Sequence, residues 1–189
     1  MLIHVLFAAL SFQSDVKRIP TMTRLTEAHL AQVRSDVAAW NAKYKPVPRK
    51  DGLIDLRCIL HAHSYLSHDS RGTIKEIAEA AKFGKIDAVL LTNHPKKDED
   101  VVSVGQKGSV EGGLFVSGAE TNGFLAYPGD GRLPDLNVNE QKFVDSLRQS
   151  KGMVFVAHPE EHTDWSLKNL TGMEIYNTHA DVKDETEMM

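Results

Sequence analysis

Cysteine is nearly absent from this chain. The 189 residues hold only Cys58, so no internal disulfide can form. Lying in the apolar run of residues 53–60, Cys58 is expected to be a small buried hydrophobe. Positive charge is not in excess either. Lys and Arg number 22 against 26 Asp and Glu, a net charge of -4 with neutral histidines. That balance leaves no electrostatic footprint for a nucleic-acid partner. Long hydrophobic runs are missing as well. The longest candidate, residues 2–10, is too short to span a bilayer. Its length suits the core of a signal peptide, but no Lys or Arg precedes it and no small-x-small cleavage site follows. Residues 1–21 therefore read either as a signal peptide or as an upstream extension, with Met22 an alternative start. Localisation follows that choice: cytoplasmic, or secreted or periplasmic if the segment is a signal. There is no internal repeat and no low-complexity tract.

What remains is an ordinary globular composition, 41% hydrophobic and 25% charged. The length is enough for one domain with a real core. Residues 26–44 read as a helix, with Leu30, Val33, Val37 and Trp40 at helical spacing and Thr26 as cap. Pro46 and Pro48 break it, so residues 22–50 form an N-terminal helix and linker. From residue 53 onward strands and helices alternate. Strands are expected at 53–60, 86–91, 113–117, 153–157 and 172–176, with a short extra strand at 124–127. Thr73 and Glu76 form a capping box opening a helix that Gly84 closes. A second helix is expected at 137–150, with Phe143 and Leu147 on one face. Residues 101–112 read as a short irregular helix. Alternation of this kind implies an α/β fold with a parallel sheet.

The nine histidines carry more information than the charge balance. His61, His63, His94, His158 and His179 all sit at or just past apolar runs. On a strand, residues i and i+2 share a face, so His61 and His63 can aim both imidazoles at one point. Imidazole is the commonest side-chain metal ligand, and carboxylates complete sites for Zn, Mn or Fe. The expected strands end in His61/His63, in His94, in Glu120, in His158 and in Asn177. Parallel barrels collect their active-site residues at that end of each strand.

In order, these residues resemble the motifs of the PHP (polymerase and histidinol phosphatase) superfamily of metal-dependent phosphoesterases. His61-Ala62-His63 with Ser67-His68-Asp69-Ser70 resembles its first motif. Thr92-Asn93-His94 resembles its Thr-Asp-His, and Gly118-Ala119-Glu120 its strand-closing Glu. Ala157-His158-Pro159 and Glu174-Ile175-Tyr176-Asn177 resemble the two stretches that follow. The resemblance implies a distorted (β/α)7 barrel over residues 53–189, with two or three divalent metal ions (Zn, Mn or Fe) at its mouth. By that likeness His61, His63 and Glu120 hold one ion. Glu120 bridges to a second, shared with His158, and Asp69 and His94 hold a third. His68 is the alternative to Asp69. Glu120 and His158 are the expected catalytic residues. Arg71 and His179 are the expected substrate contacts, with Lys96 or Lys97 as lesser candidates.

Three departures from the pattern matter. Phe124 stands where family members often place a further His, so the second ion is expected to be weakly held. Asn93 replaces the usual Asp. The closing Asp-x-His motif does not occur in the 189 residues, and five good strands are counted where seven are expected, so an incomplete barrel is anticipated. The expected activity is hydrolysis of a phosphate ester of a small metabolite or nucleotide, with no nucleic-acid partner. The alternatives are a catalytically impaired PHP-like structural or interaction domain, or an amidohydrolase-type metal hydrolase.

Overall fold

The computed structural model describes residues 20–45, 50–159, 161, 165–175 and 177. They fall into two compact units, divided between Val47 and Pro48. His179, His162, and the signal-or-extension segment up to residue 19 lie outside the described residues.

The first unit contributes α1 (Thr21–Arg24) and α2 (Glu27–Lys43). Thr26 caps α2 through its side chain, which accepts from the His29 backbone N–H. The apolar stripe read from the sequence is present, but α2 buries none of its residues and Trp40 is 75% exposed.

The second unit is mixed α/β. Its strands are β1 (Cys58–Ala62), β2 (Ala88–Asn93), β3 (Gly108–Val110), β4 (Gly113–Thr121), β5 (Phe124–Tyr127), β6 (Met153–Val156) and β7 (Gly172–Met173). They form one curled sheet in the order β1-β2-β4-β5-β6-β7, with β3 paired to β4. The pairs β1–β2, β2–β4 and β6–β7 are parallel, while β4–β5 and β5–β6 are antiparallel. Because β5 opposes both neighbours, β4 and β6 run the same way. Five strands, β1, β2, β4, β6 and β7, thus send their C-terminal ends to one edge.

The parallel sheet expected from the sequence holds for β1, β2 and β4 and for β6 and β7, and is corrected at β3 and β5, which run antiparallel to their neighbours. β5 returns from β4 through Asn122-Gly123, both at positive φ (52° and 77°). An Asn-Gly pair between two strands is a strong hairpin signal, because a tight two-residue turn needs two left-handed residues. Glu111-Gly112 does the same between β3 and β4 (φ 50° and 88°). Cys58 also departs from expectation. It is exposed, because β1 is an edge strand whose first residues lack a covering layer.

Helix α3 (Ile74–Phe83) opens with the expected capping box. The Thr73 hydroxyl accepts from the Glu76 backbone N–H, and the Glu76 carboxylate accepts the Thr73 backbone N–H at 2.8 Å. Gly84 is its C-cap. Ala78 and Ala81 of α3 pack on Val89, Leu91 and Phe115, covering one face of the sheet. Helix α5 (Glu140–Gln149) sets Phe143, Val144 and Leu147 against Phe124, Ala126, Val154 and Val156. The short α4 (Val101–Val104) packs Val101 and Val102 on Ala119. The other face carries Ala88, Leu90, Leu125, Tyr127 and Ala157, with Val116 and Phe155 packed against them.

Strand periodicity connects this inner face to the mouth. Val116, Gly118 and Glu120 alternate onto one side of β4. Gly118 has no room for a side chain, since a Cβ there would stand 2.4 Å from Cδ1 of Tyr127. The Tyr127 ring fills that space, and its hydroxyl donates to the Leu60 carbonyl of β1. Glu120 is the next residue up on the same side.

Candidate metal centre

Glu120 is the hub of a cluster at the common C-terminal edge. Its Oε2 lies 2.9 Å from Nε2 of His61, 2.9 Å from Nε2 of His63 and 3.5 Å from Nε2 of His94. Its Oε1 lies 2.9 Å from Nε2 of His158. The His61 and His63 Nε2 atoms are 3.1 Å apart. Four imidazoles from the ends of β1, β2 and β6 thus converge on one carboxylate at the end of β4.

Each element places its residue for a local reason. His61 and His63 flank Ala62 on the same side of β1. His94 follows β2 directly, and the Ser67 hydroxyl accepts its backbone N–H at 3.1 Å. Asn93, fully buried at the end of β2, uses Oδ1 to accept the Ser64 backbone N–H at 2.7 Å and the Ser64 hydroxyl at 3.0 Å. That pair ties the loop after β1 to the end of β2. His158 holds a left-handed backbone (φ 48°) just before Pro159, a conformation sparsely populated by non-glycine residues.

The outer faces of two rings are held by further carboxylates. His61 Nδ1 is 2.6 Å from Oε1 of Glu174, and His63 Nδ1 is 2.9 Å from Oδ1 of Asp69. Asp69 Oδ2 is also 3.3 Å from His94 Nε2. With Nδ1–H given to a carboxylate, Nε2 of each ring is left to face Glu120. This is the usual arrangement for an imidazole whose tautomer is set for metal binding.

The electrostatics follow from this packing. Burial raises the Glu120 carboxyl, but hydrogen bonds and charge from the surrounding histidines outweigh it and hold the group well below the usual carboxylate range. Asp69 and Glu174 are lowered as well against the burial penalty, Asp69 by the Ser67 hydroxyl and then His63 and His94, Glu174 by His61, the His158 backbone N–H and Asn177. Burial works against charge on His61, yet Glu120 and Glu174 raise its pKa to about 9. His63 is raised by Glu120 and Asp69 against the same penalty. Without an ion, the carboxylates thus favour positive charge on His61 and His63.

The donor chemistry fits divalent metal. Three groups bring suitable atoms within reach of one another: His61, His63 and Glu120; His63, Asp69 and His94; and His61, His158 and Glu174. Atoms bound to one ion at about 2.0–2.2 Å stand roughly 3 Å or a little more apart, which matches the His61, His63 and Glu120 triangle.

All six expected metal ligands, His61, His63, Asp69, His94, Glu120 and His158, come together here. Asp69 rather than His68 enters the cluster. His68 is exposed, and its ring packs on His94 with centroids 4.8 Å apart. Arg71 is exposed on the loop between β1 and α3. Lys96 pairs with Glu99 at 3.6 Å. Phe124 is fully buried against Phe143, so nothing at that position can ligate an ion.

One site residue escaped the sequence reading. From the sequence, Glu174 reads only as part of a strand, not as a member of the centre. The expected strand 172–176 put it inside a strand, whereas β7 ends at Met173 and leaves Glu174 at the strand end beside His61. No helix among the described residues is long and apolar enough to cross a membrane. No protein-family profile matches the chain, and no curated protein matches it.

Proposed function

We propose that this chain is a metal-dependent phosphoesterase of PHP type, hydrolysing a phosphate ester of a small metabolite or nucleotide. The observation that carries the reading is the Glu120 carboxylate, with imidazoles on both oxygens. One oxygen facing His61 and His63 and the other facing His158 is the arrangement a bridging carboxylate needs. His61, His63 and Glu120 would hold one ion, Glu120 and His158 a second, and Asp69 and His94 a third. Zn, Mn or Fe suit these donors better than Mg alone.

Divalent ions in such a site supply charge neutralisation on the phosphoryl oxygens and an acidified water for attack. The protein's own residues do the rest. Glu174 and Asp69 orient His61 and His63. The Asn93–Ser64 tie sets the spacing between the β1 and β2 ends. Arg71, exposed on the loop after β1, offers a guanidinium to the substrate phosphate, and His179 is the further substrate contact in this reading. A catalytically impaired relative is the second reading, favoured by the buried Phe124.

Metal analysis of protein purified without chelator, followed by p-nitrophenyl phosphate hydrolysis with added Mn or Zn, tests the proposal. Two or more transition-metal equivalents with metal-dependent turnover are expected. Bound metal without turnover would favour the impaired domain. No bound metal would overturn the phosphoesterase reading and point to the inert domain.

A further inference from the structure

We infer that Glu174 is a positioning residue. It joins the two ends of the curled sheet and sets the attitude of His61 and His158 without being a metal ligand. This rests on the metal-site reading above.

β1 and β7 are the two ends of the strand order, yet His61 and Glu174 meet at 2.6 Å across 113 positions of sequence. The contact is made on the Nδ1 side of His61, away from the Nε2 that faces Glu120. The second carboxylate oxygen is also engaged. Oε2 accepts the His158 backbone N–H at 3.0 Å and the Asn177 side-chain N–H at 3.2 Å. Oε2 of Glu174 is therefore committed to two N–H donors and Oε1 to the outer nitrogen of His61, whereas Glu120 meets the Nε2 atoms that face the centre of the cluster.

The His158 bond has a particular consequence. The left-handed turn at His158 carries its imidazole to Oε1 of Glu120. Such a backbone persists only where its surroundings hold it. The Glu174 carboxylate supplies that hold from the neighbouring strand end. One side chain thus fixes a ring orientation at the end of β1 and a backbone conformation after β6. Carboxylates behind a ligating imidazole typically govern metal affinity by 10- to 100-fold.

The test uses the full chain, stripped of metal and titrated with Co2+ while the visible absorption spectrum and binding heat are recorded. For Glu174→Gln, the number of Co2+ equivalents should equal wild type, with affinity weakened roughly 10- to 100-fold and the ligand-field bands shifted. Glu174→Ala should be weaker again, because Gln still accepts the His158 N–H. Circular dichroism of the metal-free variants serves as the control for folding. Loss of one whole Co2+ equivalent in Glu174→Gln would make Glu174 a ligand and overturn the inference. Unchanged affinity and spectrum would overturn it too, as would unfolding of both variants, which would mark a role in the fold itself. A wild-type chain that binds no Co2+ would instead remove the metal-site reading, and this inference with it.

Discussion

His61 and His63 bring their Nε2 atoms to 3.1 Å of each other, each 2.9 Å from the same oxygen of Glu120. Three donor atoms at nearly equal spacing could form one face of a metal site. Their protons compete with an ion for the same positions, so protonation and metal occupancy are linked.

Glu120→Gln should harm the centre more than His94→Asn. Glu120 is in reach of four imidazoles, whereas His94 Nε2 is 3.3 Å from Asp69 and 3.5 Å from Glu120. In the proposed phosphoesterase, neutralising Glu120 would remove charge from two ion positions at once. We expect a loss of roughly a hundredfold or more in turnover, about 3 kcal/mol of transition-state stabilisation. His94→Asn should cost less, and added metal should partly restore it. Assays at saturating metal decide the order, and equal losses would mean that the ions act as one unit.

The metal-free protein should be most stable in mildly acidic solution. Glu120, Asp69 and Glu174 have lowered pKa values when folded, so their contribution is present above the unfolded values of 3.8 to 4.5 and fades as pH falls. His61 has a raised pKa, so its contribution is complete below 6.5 and is lost as pH rises to about 9. Thermal unfolding in chelator should therefore peak between about pH 4.5 and 6.5 and decline toward 9. Metal affinity should rise over that same upper interval, because ligating imidazoles must be neutral. A melting temperature that climbs from pH 6.5 to 9 without metal would contradict this.

Asn93→Ala should destabilise the fold by about 2 kcal/mol or more, because it strands two buried Ser64 donors. It should also weaken metal binding by freeing His63 from its spacing to His94. Urea denaturation and metal titration of the same variant check both. A stable variant with unaltered affinity would show that the Ser64 tie is dispensable.

Gly118→Ala should cost about 1–3 kcal/mol through overpacking. The new Cβ would meet Tyr127 Cδ1 at 2.4 Å and the Ala126 carbonyl at 2.6 Å. Since Glu120 is two residues along the same strand, metal affinity should fall with stability. Tyr127→Phe is the comparison: it keeps the ring over Gly118 and deletes only the bond to Leu60. If Gly118→Ala unfolds at the wild-type temperature, the close approach is not tight in solution.

The sequence by itself determined the local features. Thr73 and Glu76 specify the start of α3 because a capping box satisfies two otherwise unpaired backbone donors within four residues. The His-x-His of β1 places two rings on one side because strand periodicity is two. Asn122-Gly123 held a legible hairpin signal that would have reversed β5, but the apolar run of residues 124–127 gives no direction by itself. Direction, neighbour order and curl were decided by the tertiary structure. The expected burial of Cys58 failed for the same reason, since an apolar run does not reveal whether its strand lies at an edge. Glu174 is the clearest case. Its role needs the end of β7 beside the end of β1, 113 residues away, and no local pattern encodes that meeting. Periodicity and capping act over a few residues and can be read in order. Sheet closure depends on how several cores pack at once, and only the folded chain expresses it.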